Sequence, residues 1–88
     1  MKNQIQIERM QTGMRIEKRM LKVLKALAEY LDMTLGDLIE GIVLHAFEGK
    51  VAFNETTLKK IEELKKVYDL DLNSTHSHRL TELNSNSN

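Results

Sequence analysis

Two stretches of the chain repeat apolar residues at the three- and four-residue spacing of a helix that buries one side. From Lys18 to Leu31 the apolar positions are Met20, Leu21, Val23, Leu24, Leu27, Ala28 and Leu31. Lys18, Arg19, Lys22, Lys25 and Glu29 fall mostly on other faces, which predicts an amphipathic helix. The second pattern runs through Leu35, Leu38, Ile39, Ile42, Val43, Ala46 and Phe47. Thr34 is its N-cap, Asp37 stands at the third helical position, and Gly49 is placed to terminate it. Glu48, near the negative end of the helix dipole, is a mild misfit. A third helix is predicted from after Asn54 to about Tyr68, with Leu58, Ile61, Leu64, Val67 and Tyr68 inward and Lys59, Lys60, Glu63 and Lys66 outward. Beyond it Leu70, Leu72, Leu80 and Leu83 are too sparse to define an element.

Ahead of the first helix the period changes to two. Thr12, Met14 and Ile16 share one face of an extended segment, and Gln11, Gly13 and Arg15 share the other, with Met10 extending the apolar face. The segment runs straight into a basic helix that has no N-cap residue of the usual type. A lone strand cannot satisfy its own backbone N–H and C=O groups. Its partner is therefore expected from a second copy of the chain, paired antiparallel about a two-fold axis. A two-stranded ribbon of that kind is narrow enough for the major groove of DNA.

Size supports association. The strand and first two helices span about 40 residues, and chains of that size seldom fold alone without disulfides, metal or a partner. The 88 residues include no cysteine, which removes disulfides and thiolate metal sites and leaves oligomerisation. No apolar run reaches signal-peptide or membrane-span length, so a cytoplasmic location and no membrane partner are expected. The net charge of zero conceals a gradient along the chain. Residues 1–25 carry seven cations against Glu8 and Glu17, while residues 26–49 carry five acids and no Lys or Arg. A docking surface responds to local charge, so overall neutrality does not argue against a nucleic-acid partner.

Read without a gap from Thr12-Gly-Met-Arg-Ile-Glu-Lys-Arg-Met through Leu31-Asp-Met-Thr-Leu-Gly-Asp-Leu-Ile-Glu, the chain resembles the ribbon-helix-helix family of small DNA-binding repressors and antitoxins. The resemblance covers Gln11 to about Phe47. It implies a mainly α fold with one short strand, forming an intertwined homodimer with a two-stranded antiparallel ribbon, to which this chain adds a C-terminal helix. It implies base contacts from Gln11, Gly13 and Arg15, and phosphate contacts from the amides after Thr34, principally Leu35 and Gly36. Lys18 and Arg19 sit close to the ribbon as further phosphate contacts. Met14, Ile16, Met20, Leu24 and Leu27 would form the dimer core with Leu35, Leu38, Ile39 and Ile42. The chain departs from the family pattern at Gly13, which has no side chain to read a base. It departs again at Asp32, where members often have Gly, although Asp tolerates the left-handed backbone better than most residues.

The expected organisation is an N-terminal arm over 1–9, a dimerisation and DNA-binding domain over 10–49, a helical extension over 50–72 and a flexible polar tail over 73–88. The extension is expected on the outside of the dimer, and truncation after Leu72 is expected to change neither stability nor DNA affinity. The expected function is a dimeric, sequence-specific DNA-binding repressor. Two alternatives stand beside it: an antitoxin whose C-terminal segment binds a toxin or other protein, and a dimerisation module that has lost DNA binding. A helix-turn-helix reader is rejected on charge, because the second helix presents Gly36, Asp37, Glu40 and Gly41. No cofactor is expected. His76 and His78 lie in a polar segment with no third ligand at metal spacing, and His45 sits at the margin of the second helix's apolar face. No nucleophile, base and orienting group assemble by spacing, so an enzyme is not expected.

Overall fold

The computed structural model describes residues 4–83, so the first three residues and the Asn-Ser repeat of 84–88 lie outside the described region. Three helices follow one another: α1 (Lys18–Tyr30), α2 (Leu35–Phe47) and α3 (Glu55–Val67). A single 3₁₀ turn spans Ser74–His76.

Each helix starts on a side-chain cap. Thr34 Oγ1 accepts from the Asp37 N–H at 3.1 Å and Asn54 Oδ1 from the Thr57 N–H at 2.8 Å. The start of α1 is also capped, contrary to expectation: the Glu17 carboxylate accepts from the Met20 N–H at 2.8 Å. Partial desolvation pushes the Glu17 pKa up, but the bonds from the Met20 N–H and the Arg19 guanidinium outweigh it and hold the carboxyl below its ordinary value.

The three helices end alike. After α1 the Asp32 N–H reaches Glu29 O at 3.1 Å and the Met33 N–H reaches Ala28 O at 3.0 Å. Gly49 and Lys50 repeat the arrangement after α2, as do Asp69 and Leu70 after α3. This is the Schellman termination, which requires one residue in the left-handed region. Asp32 (φ 63°), Gly49 (φ 68°) and Asp69 (φ 56°) supply it.

α1 is the central element, packed against α2 on one side and α3 on the other. Leu27, Ala28 and Leu38 are buried at the junction, with Leu24, Leu31, Ile42, Phe53, Ile61 and Leu64 packed around them. Val23 is the only other buried apolar residue among those described. Lys60 of α3 holds its ammonium 4.9 Å from the centre of the Tyr30 ring, a cation–π contact that closes the α1–α3 seam at the surface.

The ribbon-helix-helix expectation is overturned here. There is no strand among the described residues, and Gln11–Ile16 forms no ladder. The fold is three helices, with Phe53, Ile61 and Leu64 sharing the core of α1 and α2. The physical reason is that a strand's hydrogen bonds are non-local and this chain offers no second strand to make them. The segment instead remains irregular and exposed, its backbone polar groups open to water. No helix among the described residues is long and apolar enough to cross a membrane.

Candidate nucleic-acid interface

Three lysines share one face of α1, and the irregular segment before it carries Arg9 and Arg15 against Glu8 and Glu17. Lys18, Lys22 and Lys25 recur at four and three, so they project from neighbouring turns of one helix side. All three are exposed, and none forms an ion pair with another described residue. They are therefore available to an anionic partner.

The arginines are differently placed. Arg9 donates from Nε and Nη2 to both carboxylate oxygens of Glu40, each at 2.8 Å. Arg15 makes the same two-pronged contact with Glu82, at 2.8 and 2.7 Å. Arg19 is held by Glu17 at 2.9 Å, by the Asp69 carbonyl at 2.9 Å and by Asp71 at 3.1 Å. The side-chain hydrogen bonds from Arg9 and Arg15 hold the Glu40 and Glu82 carboxyls below their ordinary values. Because these pairs are solvent-exposed, water and salt screen them and they add little to stability.

Of the residues predicted to contact bases, Gln11 and Gly13 are exposed and Arg15 is engaged with Glu82. Of those predicted to contact phosphate, Lys18 is exposed and Arg19 is anchored between α1 and the chain that follows α3. Thr34 caps α2, with Leu35 half-buried and Gly36 exposed in its first turn. Asp37 also lies in that turn and places a negative charge at the end of the helix where an anion would dock. The structure therefore brings Arg15, Lys18 and Arg19 to one end of α1 but leaves Thr34, Leu35 and Gly36 at the acid-bearing start of α2.

The predicted dimer-core residues divide in the same way. Leu27 and Leu38 are buried, and Met20, Leu24, Leu35, Ile39 and Ile42 are half-buried. Met14 is 70 % exposed and Ile16 lies at the surface. Exposed apolar side chains are also concentrated at the end of α2, where Val43, Leu44, Phe47 and then Val51 face solvent. The Arg9–Glu40 pair joins the N-terminal segment to that helix, and Met10 beside it is exposed.

Sequence reasoning missed the carboxylates that meet the arginines. Glu40, Asp71 and Glu82 lie 31, 52 and 67 residues from their partners, beyond the reach of any local pattern. Elsewhere, His76 Nδ1 accepts from the Asn73 N–H at 2.9 Å, and His45 Nδ1 lies 2.7 Å from Gly41 O. No group of three or more His, Cys, Asp or Glu side chains among the described residues could hold a metal ion. In comparisons with known proteins, no family model, curated protein or solved structure matches this chain.

Proposed function

We propose that this chain is a cytoplasmic, dimeric DNA-binding regulator whose α1 lysine face, with the arginines beside it, meets the phosphate backbone. The supporting observation is the row of Lys18, Lys22 and Lys25, exposed and without carboxylate partners among the described residues, next to Arg15 and Arg19. Cations arrayed on one face of a helix suit a polyanion of regular charge spacing better than a small anion. Dimerisation is part of the reading because four buried side chains make a small core, while Met10, Leu44, Phe47 and Val51 leave apolar surface in water.

A second reading, a dimerisation module with no DNA partner, is favoured by the carboxylates that already occupy Arg9, Arg15 and Arg19. Titrating duplex DNA with the full chain at several salt concentrations separates the two. Three phosphate contacts per protomer give a slope of log K against log salt of about −3 per protomer bound. No binding at low salt by a chain that sediments as a dimer would leave the second reading in possession.

A further inference from the structure

The two arginines nearest the lysine row are both held by the chain that follows α3. After the Asp69 turn, the Asp69 carbonyl and Asp71 take the Arg19 guanidinium, and Glu82 takes that of Arg15 through both oxygens. Between these polar anchors the segment lies along the α1–α3 seam. Leu70, Leu72 and Leu80 border the same groove as Met20, Val23 and Ile61. A 3₁₀ turn at Ser74–His76, closed by the reciprocal Asn73 and His76 contacts, lies between the two anchors.

A carboxylate meeting a guanidinium through two parallel N–H···O bonds has the geometry with which a phosphate would meet it. The Arg15–Glu82 pair is exposed, so an incoming polyanion could exchange with that carboxylate without first desolvating a buried charge, whereas Arg19 is half-buried and keeps Glu17 at 2.9 Å whatever the later chain does. The apolar contacts act as a tether that keeps the acids close, which raises their effective concentration at the arginines.

Resting on the DNA reading above, we propose that residues 69–83 form an acidic strap, seated at Arg19, that competes with DNA for Arg15 through Glu82. The chain is thereby restrained in its own binding. The strap lifts when a duplex displaces Glu82 from Arg15, and any factor that captures residues 69–83 would raise DNA affinity. On this proposal the residues beyond Leu72 bear on DNA affinity, the opposite of what the sequence alone predicts.

The test compares the full chain with Glu82→Gln, with a chain ending at Leu72, and with the charge-exchanged pair Arg15→Glu and Glu82→Arg. Tryptic cleavage after Arg79, followed by mass spectrometry without DNA, reads whether the strap is held. Cleavage should accelerate in Glu82→Gln and return toward the full-chain rate in the charge-exchanged pair. Affinity for a short duplex of unrelated sequence at low salt should rise roughly two- to five-fold in Glu82→Gln, the range set by an exposed ion pair. It should rise at least as far in the truncated chain. Unchanged cleavage in Glu82→Gln would overturn the strap, as would equal DNA affinity in the full, Glu82→Gln and truncated chains, with the DNA reading left standing in that case. If none of these three binds DNA while cleavage responds as expected, the DNA reading fails and the competition falls with it.

Discussion

Arg9 and Glu40 face each other across the gap between the N-terminal segment and α2, joined by two hydrogen bonds of 2.8 Å. A segment without regular structure is thereby fixed to a helix 31 residues further along the chain. The Glu40 carboxyl is lowered from an ordinary 4.5, chiefly by the Arg9 hydrogen bond against an opposing effect of burial. A depressed carboxyl contributes its stabilisation fully above its unfolded-state pKa and loses it as pH falls through the folded value. The Arg9–Glu40 contact should therefore be present at neutral pH and be lost as pH falls through the lowered Glu40 value, with little effect on the stability of the fold because the pair is exposed. Carboxyl-carbon NMR should place the Glu40 midpoint below its ordinary value and return it there in Arg9→Gln. An ordinary midpoint in the unsubstituted chain would show that the pair does not persist in solution.

Leu27 is 2 % exposed and Leu38 is 3 % exposed, and both sit where α1 meets its neighbours. Truncating either to Ala removes transfer free energy and leaves a cavity, at a cost of about 2 to 5 kcal/mol. A domain of this size has only about 5 to 15 kcal/mol in all, so Leu38→Asp should prevent folding altogether. Urea unfolding followed by circular dichroism measures both effects. A loss below about 1 kcal/mol for Leu27→Ala would mean that the helices are not packed on this residue.

Leu44 and Phe47 are 65 % and 82 % exposed. Leu44→Ser and Phe47→Ser should leave the helical signal of a dilute sample nearly unchanged. Both should weaken self-association, because the apolar area that a second copy would cover is reduced. Sedimentation equilibrium over a range of concentrations reads the change. Dimerisation as strong as in the unsubstituted chain would place the interface elsewhere.

Two glycines should respond in opposite directions to the same substitution. Gly49 occupies the left-handed position after α2, with open space where a Cβ would stand, so Gly49→Ala meets no steric neighbour and costs only backbone strain, about 1 to 2 kcal/mol. Gly41 lies within α2 with similar space around it, and Gly41→Ala should stabilise the helix by about 0.5 to 1 kcal/mol. Thermal denaturation gives both signs. A destabilising Gly41→Ala in a dimeric sample would place that residue against the second copy.

Helix positions were legible from the sequence because everything that defines a helix is local. Its hydrogen bonds span four residues, its buried face repeats within two turns, and its ends are marked by Thr34, Asn54 and Gly49 within three residues of the bonds they make. The same locality made the left-handed turn at Asp32 readable. The Glu17 cap was missed because Glu is not a preferred N-cap residue, and only the observed geometry shows its carboxylate turning back to Met20. Gln11–Ile16 went wrong for the opposite reason. Alternation describes the two faces of an extended segment but carries no information about what pairs with it, and the ladder that would make it a strand must come from residues far away or from another molecule. The burial of Leu27 and Leu38, the packing of α3 on α1 and the carboxylate partners of Arg9, Arg15 and Arg19 are likewise contacts between distant residues. The sequence determined which segments are helical and where the cations lie along the chain. Only the tertiary structure decided which of the described cations are paired at long range, because that depends on where Glu40 of α2 and the chain after α3 come to lie.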